Sequence, residues 1–177
     1  MRLFIFIMLL AMTPCAAAEN RKEINWEDPA HILAELDASG ITSGLKSWYD
    51  AEAVFKLAET EISEDLIKGL YRNFREIVVA PPNPNVHTKY TLENKDEYLY
   101  DMKSLGQLLH NLLIALSGED RERYGTLVGL MRAVLYMDYQ HIPLALKNDD
   151  SRDFYWYEAH NRGVKAAEKE YASIFGD

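Results

Sequence analysis

The chain has 177 residues, 28 of them acidic against 19 basic, and a formal net charge of −9. That excess repels phosphate backbones and anionic lipid headgroups, which argues against a nucleic-acid partner and against stable membrane docking; it would attract a basic protein, though acidity of this size also serves solubility alone. The single cysteine, Cys15, rules out an intrachain disulfide framework, and a chain of this length can build a core without one.

Residues 1–18 read as a bacterial-type export signal. Arg2 gives a positive start, Leu3 to Met12 is an unbroken apolar run, and Ala16-Ala17-Ala18 before Glu19 supplies the small-residue cleavage pattern. The run is shorter than a spanning helix, and Pro14 interrupts it. Proline directly before Cys15 is a poor fit to a lipid-attachment site, so the expectation is cleavage after Ala18 with no lipid and no membrane anchor. Residues 19–177 then form one domain with a periplasmic or secreted address.

The remaining sequence predicts an all-α, single-domain bundle of five to six helices. Asp28 and Pro29 open the first, which carries Ile32, Leu33 and Leu36 and stops before Gly40. A second helix is predicted from about Ser43, with Trp48, Ala51, Val54, Phe55 and Ala58 on one side. The third follows Ser63, with Glu64 and Asp65 against the positive end of its dipole and a stripe from Leu66 to Val78. Pro81, Pro82 and Pro84 forbid its continuation and begin a long connection to Asn94. Asn94 and Glu97 then resemble a capping pair for a fourth helix, whose stripe runs Tyr98, Met102, Leu105, Leu109, Leu112 and Leu116. Apolar nearly all round, it is expected at the bundle centre. A fifth helix follows Gly118 and is expected to end at Pro143. The sixth runs from about Ser151 to Phe175 with Tyr157, His160, Val164, Ala167 and Tyr171 inward. The short breaks make helices four, five and six antiparallel neighbours.

One polar residue defies the pattern. At about 100° per residue, Asp138 falls in the middle of the arc formed by Leu127, Met131, Val134 and Leu135. A carboxylate there needs donors or it neutralises. Counting back from the turns places Asp138 level with Tyr98 and with Tyr155 to Tyr157, so Tyr98 and Tyr157 are the predicted donors. Such a knot either fixes helix register or forms a shifted acid in a ligand or enzyme site. His141 shares its face at i, i+3, but no second carboxylate–histidine pair completes a metal site. His160 reads as a core or boundary histidine with one hydrogen bond. His110 counts to the level of Tyr124, away from Asp138. No Cys-x-x-Cys-His exists for covalent haem and no nucleophile motif is present, so no cofactor is expected.

A recognition surface is the other candidate. Tyr155, Trp156 and Arg162 on the sixth helix combine aromatic and charged side chains of the kind enriched at interfaces. The functional expectation is therefore an exported helical protein acting by protein binding, in the manner of an inhibitor or immunity protein. The alternative is a small-ligand-binding protein or enzyme using the interhelical site around Asp138.

Overall fold

The computed structural model describes residues 27–38, 40–78, 95–145 and 154–176; the side chains of residues 41, 95, 144–145 and 154–157 lie outside that description. The export signal and the proline-rich connection fall outside it too. Among the described residues there are six α-helices, one 3-10 helix and no strand. None of these helices is long and apolar enough to cross a membrane.

Helix α1, Pro29–Ala38, starts where the Asp28 carboxylate accepts the Ala30 amide at 2.9 Å and buries Ile32 and Leu36. Gly40, at φ 77°, turns the chain where a Cβ would be strained. The expected second helix is two elements: a 3-10 helix, Ile41–Trp48, and α2, Ala51–Ala58. The break at Tyr49 and Asp50 has an identifiable cause. The Asp50 side chain accepts the Glu52 and Ala53 amides at 2.9 and 3.1 Å, capping α2. Its own amide leaves the helical path and donates to Asn111 Oδ1 at 2.9 Å. The Asn111 Nδ2 donates in turn to the Trp48 and Gln107 carbonyls at 3.2 and 2.9 Å. One buried amide side chain on α4 thus supplies both halves of the broken turn. Phe55, expected inward, is exposed on α2.

Helix α3, Glu64–Val78, begins under the Ser63 hydroxyl, which accepts the Leu66 amide, and buries Ile67, Leu70, Phe74 and Val78. Helix α4, Lys95–Ala115, and α5, Gly118–Ala145, form an antiparallel hairpin across Leu116 and Ser117. Arg121 reaches back to donate to the Leu113 carbonyl at 2.5 Å, placing a cation at the negative end of α4. The bundle centre is α5 and not α4. Leu127, Val128, Leu130, Met131, Ala133, Val134 and Leu135 are all fully enclosed, and α5 packs against α1, the 3-10 helix, α3, α4 and α6. Helix α4 keeps Leu108 and Ile114 in solvent. Pro143 lies inside α5 and does not end it. Two residues from the terminus, it forfeits only the bond to the Tyr139 carbonyl, so the helix continues to Ala145.

Helix α6, Phe154–Phe175, closes the bundle. Its Gly163 lets α6 approach Val134, while Gly129 does the same for Leu33 of α1; a Cβ at Gly129 would stand 2.7 Å from the leucine. Tyr171 stacks on Tyr71 of α3 at 3.9 Å, and Arg75 pairs with Glu168 beside them. The main core draws on α1, α3, α4, α5 and α6, and a smaller cluster joins Leu45 and Trp48 to Tyr136.

Candidate functional site

Asp138 lies where its place on the apolar arc of α5 predicts, with 0 % of its surface exposed. Its described partner is His160 of α6, itself 2 % exposed, whose Nδ1–H donates to both carboxylate oxygens at 2.9 Å. A carboxylate has no proton to give, so the ring nitrogen is the donor and the tautomer is fixed. Burial works to depress the basicity of His160, but the Asp138 charge and hydrogen bond outweigh it and hold the imidazole above the ordinary histidine range. The pair is an enclosed carboxylate–imidazole contact bridging α5 and α6.

Of the two tyrosines the turn count selects, Tyr98 donates elsewhere and the Tyr157 side chain lies outside the described residues; the histidine beside Asp138 sits about one turn after Tyr157 on α6. Tyr98 is buried on α4, and its hydroxyl donates to the Ile77 carbonyl at 3.1 Å, tying α4 to the last turn of α3. His141 is half-buried one turn past Asp138. The side chains of Tyr155, Trp156 and Tyr157 lie outside the described residues. Arg162 is exposed and pairs with Glu158 at 3.3 Å along the same helix. No group of three or more metal-ligating side chains occurs among the described residues.

Two further polar side chains, apart from this pair, each carry a buried nitrogen. His110 Nδ1 and Arg132 Nε are enclosed without a hydrogen-bond partner among the described residues. Burial, and then the nearby Arg132 charge, lower the basicity of His110. Arg132 is tied at its other end to Asp37 of α1 at 3.3 Å.

A groove opens on another side of the bundle. Between the 3-10/α2 junction and α4 lies an open depression of roughly 530 Å³, floored by Trp48 and Asn111 and edged by Tyr49, Ala53, Gln107 and Leu108. Tyr49 is 54 % exposed and Leu108 40 %. All the large apolar side chains left exposed among the described residues fall on residues 49–55 or on α4: Tyr49, Phe55, Tyr100, Leu108 and Ile114. Sequence periodicity hides this groove, because it arises from the break at Tyr49 and Asp50 that the helical pattern runs straight through. Asp50 was the available signal, since it is a good cap three residues before Ala53.

The elements that bound the groove carry more acid than base. Residues 41–61 and 95–115 hold seven carboxylates, all exposed, against Lys46, Lys56, Lys95 and Lys103, and Asp50 lines the groove itself. Lys56 is already paired with Glu52 at 2.6 Å. The described part of α6, residues 158–176, is balanced, with three carboxylates against three basic side chains. Comparison with protein-family models, with characterised protein sequences and with solved structures gives no match.

Proposed function

We propose that this chain is an exported helical protein that acts by binding another protein, in the manner of an inhibitor or immunity protein. The observation that carries the reading is a groove lined by two exposed large apolar side chains, Tyr49 and Leu108, on elements that also expose Phe55, Tyr100 and Ile114. Large rigid apolar side chains at an accessible concave surface are what protein interfaces use as anchors. The leader-like residues 1–18 support export, and the net charge of −9 supports a basic partner. The enclosed Asp138–His160 pair serves this reading as a fastener of α5 to α6.

Recovery of the tagged chain from its own exporting cells tests the reading. The expected result is a discrete protein complex by size-exclusion chromatography with light scattering, dissociating as salt is raised. Recovery of the chain alone, together with turnover of a small substrate that Asp138→Asn abolishes, would replace it with an enzyme acting through the interhelical pair.

A further inference from the structure

We infer that the groove between the 3-10/α2 junction and α4 docks a cationic segment that inserts an apolar side chain between Tyr49 and Leu108. The inference rests on the protein-binding reading and names the surface and the partner chemistry. The apolar part comes from the groove walls: the Tyr49 ring and Leu108 are in solvent, while the Trp48 ring beneath is held rigidly against Tyr136 at 4.9 Å. A floor fixed in this way presents the groove preformed, which limits the ordering cost of binding. Tyr100, 71 % exposed and two turns before Leu108 on α4, extends the apolar line beyond the groove.

The charge part selects the occupant. Asp50 lines the groove at the start of α2, and Asp101 lies on the same line of α4 as Leu108, seven residues earlier. A second copy of this chain would set this acidic face against its like, so self-association is opposed by the charges that attract a basic segment. Residues 27–38 are acidic too, with Glu27, Asp28, Glu35 and Asp37, but expose no large apolar side chain. The groove alone joins both properties among the described residues.

The test uses a synthetic amphipathic peptide of lysine and leucine, and a companion in which glutamate replaces lysine. Amide NMR shifts of the mature chain read where each binds. The lysine peptide is expected to perturb residues around Tyr49, Ala53 and Leu108, and the glutamate peptide to leave them unmoved. Leu108→Arg, at a solvent-exposed helical position, should weaken the lysine peptide about tenfold or more. Asp101→Lys should weaken it and flatten its salt dependence, while Ser173→Arg on the outer side of α6 should change nothing. Shifts spread over α1 and α4 alike, with Leu108→Arg binding as before, would overturn the groove assignment. Equal binding of the glutamate peptide, or a dimer of the chain occupying the groove, would overturn the partner chemistry. In each of these cases the protein-binding reading still stands or falls on the complex recovered from exporting cells.

Discussion

Asp138 and His160 give up hydration that neither would surrender singly, and the cost is offset only while both remain. Asp138→Asn keeps an acceptor for the imidazole N–H, whereas Asp138→Leu leaves that donor stranded in the core. Chemical denaturation should therefore rank the wild type above Asn and Asn above Leu, with the leucine variant losing about 3 kcal/mol or more. The pair also sets a pH dependence. Asp138 raises the basicity of His160 in the folded chain, so its stabilisation is complete below the unfolded histidine value of about 6.5. It is lost as pH rises through the raised folded value. The wild-type melting temperature should fall from near-neutral into alkaline pH, and Asp138→Asn should flatten that fall. A wild-type profile with no such fall would show that the pair does not titrate as its geometry requires. The buried acid was legible because one carboxylate in an otherwise apolar arc stands out by periodicity alone. The histidine beside it was not, because local spacing on α5 cannot report which residues of α6 stand level with Asp138.

At the scale of elements, the helices that the stripes define are the ones the chain forms from Glu64 onward. The stretch from Ile41 to Ala58 is where pattern misleads. Trp48, Ala51, Val54 and Phe55 fit one helical face, yet Asn111, distant in sequence, rewards a break with two hydrogen bonds. Local spacing cannot report a partner on another helix. Asn111→Ala should cost about 1–3 kcal/mol in urea unfolding, because the Asp50 amide and the Trp48 carbonyl lose their partner. Glycines on two helices should respond with opposite signs. A Cβ at Gly106 of α4 would overlap the Trp48 ring, so Gly106→Ala should destabilise by about 1–3 kcal/mol despite the better helix propensity of alanine. Gly69 of α3 faces open space, and Gly69→Ala should stabilise by up to about 1 kcal/mol. Equal responses would mean that Trp48 does not seat on α4 as described.

Across the whole molecule, charge and apolar exposure are distributed unevenly, and composition alone cannot show it. The net charge of −9 is a single number, whereas the fold separates a balanced α6 from an acidic, aromatic face on α2 and α4. The sixth helix is singled out in the sequence by Tyr155, Trp156 and Arg162; the first two side chains lie outside the described residues, among which the exposed large apolar side chains fall on residues 49–55 and on α4. The apolar nature of α4 reads as a central position; instead α5 takes the centre and α4 spends part of its apolar surface on solvent, which is the ground for the binding proposal. The most direct measurement is photo-crosslinking in exporting cells, with the photoreactive residue placed at Leu108 in one chain and at Ser173 in another. The account predicts one discrete adduct with a basic protein from position 108 and none from position 173. Adducts from position 173 alone, or from neither position while the chain is exported and folded, would contradict it.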